Sequence, residues 1–291
     1  MVDLTKDKIQ VPFKVASVHD VSGFGRCANT VIIPTLSALG VQCIPLPTAF
    51  LSTHTGGFEG FTFLDMTEEM KKTIKHWNDI SICFDGVYSG FLASSEQIHI
   101  VLDFALDCKR KNPHCLFLAD PVMGDDGVKY KTYTDEMCTL TRELIKYADV
   151  ITPNFTEACI LTDEDYCEYP DEEKQKRVIS KLERLTDAQV VVTGLVDKSD
   201  NTVSSILLDE NGSFKRISCE YVDVNYPGTG DLFSSIVISL LLEKKTLSDA
   251  VKTAGEFVTL AASFTKACGT PVREGLCFEG ILHKLYDMSR M

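Results

Sequence analysis

The sequence has no CxxC pair, no GxxxxGK(S/T) segment, no internal repeat, no low-complexity tract and no apolar run near the roughly 20 residues that a bilayer span needs. Each absence removes a class. Without paired cysteines, the eleven Cys, scattered through apolar segments at positions such as Cys43, Cys83 and Cys115, read as reduced thiols and not as a disulfide scaffold. Without the lysine-bearing glycine loop, a P-loop nucleotide enzyme is excluded. Positive charge is also scarce: 29 Lys and Arg face 42 Asp and Glu, a net charge of −13 that repels nucleic-acid backbones. The opening "MVDLTKDKIQVPFKVASVH" lacks a secretory pattern. The expectation is a cytoplasmic protein, with no membrane and no nucleic-acid partner. Its 291 residues, 44% of them hydrophobic, suffice for one large α/β domain over 1–291.

Strand-length apolar runs alternate with helical segments. Strands are expected at 14–19, 41–46, 81–86, 115–121, 149–153 and 188–194, and helices near 26–39, 67–77, 94–111 and 134–147. This rhythm predicts parallel strands joined by helices. Runs such as "LFLA" and "VVVT" are apolar on both faces, as a sheet covered on both sides requires. From residue 202 the pattern becomes a hairpin around Asn211-Gly212, and helices near 229–243 and 247–267 finish the fold. The acidic stretch 162–174 reads as a solvated loop entering a helix.

Ligands of open parallel sheets bind beyond the carboxyl ends of the strands. Seven polar clusters fall there: 19–26, 47–57, 85–91, 120–127, 152–157, 193–194 and 227–231. In "PGTGD" the glycines Gly228 and Gly230 flank Thr229 where a helix begins, so the backbone can approach an anion with its unpaired N–H groups. Asp231, in the first turn, is either a capping carboxylate or a general base beside a transferring phosphoryl group. Asn154 and Glu157, three apart at another helix start, suit Mg²⁺ or form an Asn-x-x-Glu capping box, and Asp120 adds a carboxylate nearby. "GFGRCA" at 23–28 fits a dinucleotide fingerprint. Its context does not, because the turn is too long and the second strand ends in "IPLP" with no acid for a ribose.

"DPVMGDDG", "ITPNFTEACIL" and "PGTGDLFSS", in this order with "VHDVSGFGRCANTVIIPTLSALG" and "STHTGGF" ahead of them, resemble the vitamin kinases of the ribokinase superfamily, and the pyridoxal kinases in particular. The likeness covers about residues 14–267. It implies a three-layer sandwich with a mostly parallel central sheet, helices on both faces and a short antiparallel hairpin near the C-terminal part. It also implies ATP-dependent phosphorylation of the hydroxymethyl group of a B6 vitamer, Mg²⁺ as cofactor with K⁺ left open, and a homodimer. By the same resemblance Asp231 is the base, and the amides of Gly228, Thr229 and Gly230 hold the γ-phosphate. Asp120, Asn154 and Glu157 serve Mg–ATP, with Asp120 and Glu157 as metal ligands, while Thr193 and Gly194 lie on the nucleotide side. His19, Asp20, Thr48, His54 and Phe91 line the vitamin.

The sequence departs from the pattern at two places. Val18 stands before His19 where pyridoxal kinases usually carry serine, and the following Asp20 is similar to hydroxymethylpyrimidine kinases. Phosphorylation of that pyrimidine is therefore the alternative activity, followed by a non-catalytic vitamin-binding protein and, more remotely, a nicotinamide-dependent oxidoreductase. Only "DDGVKYKTYTDE" follows the DPVMG segment, so any lid over ATP is short.

Overall fold

The computed structural model describes residues 11–209 and 211–290; the first ten residues, part of the stretch searched for a secretory pattern, lie outside it. The first half runs β1 (Lys14–Val18), β2 (Val21–Phe24), α1 (Asn29–Ala38), β3 (Gln42–Pro45), β4 (Ala49–Thr53), β5 (Phe63–Asp65), α2 (Thr67–Asp79), β6 (Gly86–Ser89), α3 (Ser95–Lys111) and β7 (Leu116–Ala119). A small hairpin, β8 (Gly124–Asp125) with β9 (Val128–Lys129), follows. Then come α4 (Asp135–Leu144), β10 (Val150–Ile151), α5 (Phe155–Thr162), α6 (Glu172–Leu185), β11 (Gln189–Asp197), β12 (Thr202–Leu208), β13 (Phe214–Glu220), α7 (Thr229–Leu242), α8 (Leu247–Cys268) and α9 (Leu282–Ser289).

Eight strands form the central sheet in the order β13-β12-β11-β10-β7-β6-β1-β3. Pairing is parallel from β3 to β11 and antiparallel for the two strands beyond. Side chains alternate between two cores. Ala16, Val18, Phe117 and Val192 pack with residues of α2 to α6 on one face, while Val15, Leu118 and Val191 pack with α1, α7, α8 and α9 on the other. This is the expected three-layer sandwich. The chain leaves β1 for β3 on one side and then returns to β6 on the other, so the crevice of a topological switch point opens above β1 and β6.

Three expectations are corrected. The third strand is 86–89 and not 81–86: Ile82 and Phe84 pack on the core as an approach segment, and the ladder begins only at Gly86, whose Cα lies against Val15. Two clusters expected as loops contribute strands, since β2, β4 and β5 form a separate three-stranded sheet beside the crevice. A ninth helix, α9, follows the two expected to finish the fold. The hairpin lies where expected, with Thr202 opposite Glu220 and Leu208 opposite Phe214. So does the loop before α6, whose helix starts on an Asp171 cap.

Candidate active site

Helix α7 begins without a side-chain cap. Gly228 occupies the cap position at φ 85°, and a Cβ there would collide with the carbonyl oxygen of Arg26, so only glycine fits. The first N–H groups of α7 consequently point out unsatisfied. Gly230 is exposed, and the nearest atom to a Cβ built on it is Oδ2 of Asp120, at 3.7 Å. The anion hole and the Asp120 carboxylate therefore face one another.

Asp231 sits in the first turn of α7, where the dipole favours its charge. Its Oδ2 accepts the N–H of Ala28 at 2.7 Å. Burial pushes its carboxyl up to about 6; the Ala28 amide opposes this and the nearby Asp20 charge adds to it. That value suits a group that must take a proton near neutral pH.

Helix α5 starts differently. Asn154 Oδ1 accepts the Glu157 N–H at 2.9 Å, and Glu157 Oε2 accepts the Asn154 N–H at 2.8 Å, a complete capping box. Glu157 Oε1 accepts the Met123 N–H at 3.1 Å, and Asn154 Nδ2 donates to the Gly124 carbonyl at 2.9 Å. The box thus ties the 120–127 segment to α5. Asp120 makes no side-chain hydrogen bond among the described residues. Burial first, then the charges of Glu157 and Asp231, hold its carboxyl well above the usual range, and burial likewise raises Glu157.

Among the described residues none of these carboxylates pairs with lysine or arginine. Carboxyl groups left without a counter-ion in this way would be ionised by a divalent cation. No three His, Cys, Asp or Glu side chains among the described residues converge to hold an ion alone; a Mg²⁺ held here would draw further oxygens from a bound phosphate. Asp120 is the better placed of the two expected ligands, because Glu157 already accepts two amides.

Thr193 and Gly194 lie at a break in the β11–β12 ladder between Val192 and Leu195. The Thr193 N–H donates to the Pro153 carbonyl at 2.9 Å, which draws the break beside Asn154, and Gly194 is exposed at φ 76° with open space around it. A ligand can approach this backbone closely.

The acceptor residues divide. Asp20 is 9% exposed, takes a 2.9 Å hydrogen bond from Ser22, and is raised chiefly by burial. Phe91 is half-buried at the end of β6. The other three lie deeper. His19 is 1% exposed, sealed by Tyr88 in edge contact at 4.3 Å and by Gly90, with burial lowering it to about 3. Thr48 is fully buried and its hydroxyl donates to the Phe91 carbonyl at 3.4 Å. His54 accepts the Gly56 N–H at Nδ1 (3.1 Å) and donates from Nε2 to the Arg273 carbonyl (2.7 Å). Thr48 and His54 thus spend these groups on the backbone, whereas His19 keeps Nε2 buried without a hydrogen-bond partner among the described residues. Two contributors escape residue-type reasoning: the backbone amide of Ala28, and the 272–279 segment that latches onto Arg26 and His54.

Residues 33–273 match the family model for phosphomethylpyrimidine kinase. A Bacteroides thetaiotaomicron protein assigned as a phosphomethylpyrimidine kinase, in a crystal form with pyridoxal, superposes with a TM-score of 0.88 at 39% identity, over 94% of this chain and 96% of that one. The pyridoxal kinase of Lactobacillus plantarum superposes at 0.87 with 25% identity, over 97% and 99% of the two chains. The pyridoxal kinase of Paraburkholderia xenovorans is 29% identical over 85% of each chain.

Proposed function

Since the chain belongs to the phosphomethylpyrimidine kinase family, within the ribokinase superfamily, we propose that it transfers the γ-phosphate of ATP to the primary hydroxymethyl group of a B6 vitamer, giving the 5′-phosphate and ADP. The observation that carries this is the pairing of an uncapped glycine helix start with a half-buried carboxylate three residues into it, facing Asp120.

In this reading the acceptor lies above β1 and β6 against Phe91 and Asp20. Asp231 takes the hydroxyl proton as that oxygen bonds to the γ-phosphorus, and the bond from phosphorus to the ADP oxygen breaks. The amides of Gly228, Thr229 and Gly230 stabilise the charge on the equatorial oxygens. Asp120 would hold Mg²⁺, with Glu157 and Asn154 fixing the loop around it and reaching the ion through water, and the ion when bound neutralises phosphate charge. Thr193 and Gly194 border the nucleotide; a K⁺ requirement is open to titration. Related crystal forms with pyridoxal, and with ADP plus pyridoxamine, support both substrates. The short β8–β9 hairpin is the candidate lid.

The hydroxymethylpyrimidine reading is kept because Asp20 and the matched family model favour it. We further propose one kinase domain over 1–291. Eleven free cysteines support a reducing, cytoplasmic setting. Exposed Phe24, Phe50, Phe63 and Leu64 on the three-stranded sheet support a homodimer, which sedimentation would test. No helix among the described residues is long and apolar enough to cross a membrane. The deciding experiment is ADP release measured side by side with pyridoxal, pyridoxamine, pyridoxine and hydroxymethylpyrimidine. A vitamer rate well above the pyrimidine rate supports the reading; the reverse ranking replaces it, and binding without turnover leaves a vitamin-binding protein.

A further inference from the structure

Ala28 has φ 47° and ψ −135°, a combination strained for any residue with a Cβ. It is the second residue of a turn closed by the Thr30 N–H on the Cys27 carbonyl at 3.2 Å, the place in a type II′ turn where glycine prevails. Such a geometry persists only where its surroundings over-determine it. On the downstream side, the Asn29 side-chain amide donates to the carbonyls of His19 (2.8 Å) and Asp20 (3.2 Å), and the Asn29 N–H to that of Asp20 at 3.2 Å.

On the upstream side the restraint comes from the far end of the chain. The Arg26 N–H donates to the Glu274 carbonyl at 3.0 Å, Arg26 and Gly275 form a parallel bridge, and Arg26 Nε meets Glu279 Oε1 at 2.6 Å. The Arg26 carbonyl is wedged between two glycines. A Cβ on Gly275, at φ 79°, would come within 2.5 Å of it, and one on Gly228 closer still. The outcome of these contacts is a single 2.7 Å hydrogen bond from Ala28 to Asp231 Oδ2, and Oδ1 is left without a protein partner among the described residues.

We propose that segment 271–279 and Ala28 form one positioning device for the Asp231 carboxylate: the turn at Gly275 clamps the Arg26 carbonyl against Gly228, and the clamp holds Ala28 in the backbone geometry that aims its N–H at Oδ2, leaving Oδ1 for the acceptor hydroxyl. This rests on the kinase reading above. Gly275 and Glu279 are thereby positioning residues for the reaction although neither meets the substrates.

The test is steady-state kinetics of Gly275→Ala, Ala28→Val and Ala28→Gly with Mg–ATP and the best acceptor, alongside circular dichroism and melting. A misaimed base lowers kcat by roughly tenfold or more and leaves the KM of ATP and of acceptor within about twofold. That pattern is expected for Gly275→Ala and Ala28→Val. Ala28→Gly keeps the amide and tolerates the angles, so it should recover most of the rate lost in Ala28→Val. Should either bulky variant fail to fold, Glu279→Gln, at a 59% exposed side chain, loosens Arg26 without burying anything and should lower kcat roughly two- to threefold. Unchanged kcat in the folded variants, or a loss confined to KM, overturns the positioning device while the kinase reading stands. A wild-type protein inactive on every acceptor overturns both.

Discussion

Two helix starts face the same crevice, and they are built oppositely. At α5 every local demand is met: Asn154 and Glu157 cap each other, and Glu157 also receives the Met123 amide. At α7 nothing caps the helix, the cap residue is a glycine in left-handed geometry, and the outward N–H groups await a partner. The satisfied start fixes a loop; the unsatisfied one leaves its donors open to a ligand. A helix terminus reads as a site when its orphan donors have been left open at a cost in stability, and as architecture when they have been closed.

Breaking the open start should have the larger effects. Asp231→Asn should lower kcat by roughly 10²–10⁴ with ATP affinity near normal, measured by ADP release and nucleotide titration. Gly228→Ala, which drives a Cβ into the Arg26 carbonyl, should lower kcat by about 10², the scale of one lost oxyanion donor. Asp120→Asn should raise the Mg²⁺ concentration for half-maximal turnover by at least roughly tenfold. At the closed start, Asn154→Ala should appear mainly as stability, costing about 1 kcal/mol in denaturant unfolding. Comparable kcat losses in Gly228→Ala and Asn154→Ala would erase the distinction between the two termini.

The smallest effect is one of pH. Asp231 has a carboxyl raised from 3.8 to about 6, so the folded protein holds this proton more tightly than the unfolded chain. Its contribution favours the fold at low pH and is lost as the pH rises from about 4 through about 6. Asp231→Asn should therefore gain stability relative to the unliganded wild type between pH 5 and pH 7.5, with Mg²⁺ and ADP narrowing the gap. A difference that stays constant across that range would show that the carboxyl is not perturbed.

The sequence already contained the α7 site, because only backbone needs place glycine on both sides of Thr229, and the alternation of elements already implied the sheet. The residues expected on the donor side, Asp120, Asn154, Glu157 and Thr193, do gather near the α7 start, because each follows directly from a strand end. The acceptor side was less legible. Thr48 and His54 have the right chemistry at the right strand end, yet their hydrogen-bonding groups are spent on backbone, which depends on the distant Phe91 and Arg273. Residues 81–86 misled because Ile82 and Phe84 pack on the core outside the ladder, while the true strand contains Gly86 and Ser89. Ala28 carried no signal, since its contribution is an amide that every residue but proline possesses.

The switch point between β1 and β6 separates the molecule's two chemical tasks along the chain as well as in space. In the proposed reading the vitamin ring meets residues 20–91 and the phosphates meet 120–231, while Asp231 reaches back to the alcohol and is tied to the first block by the Ala28 amide at 2.7 Å. New acceptors can therefore be recruited by rewriting the first hundred residues while the phosphate apparatus is inherited whole, provided that one amide keeps its aim.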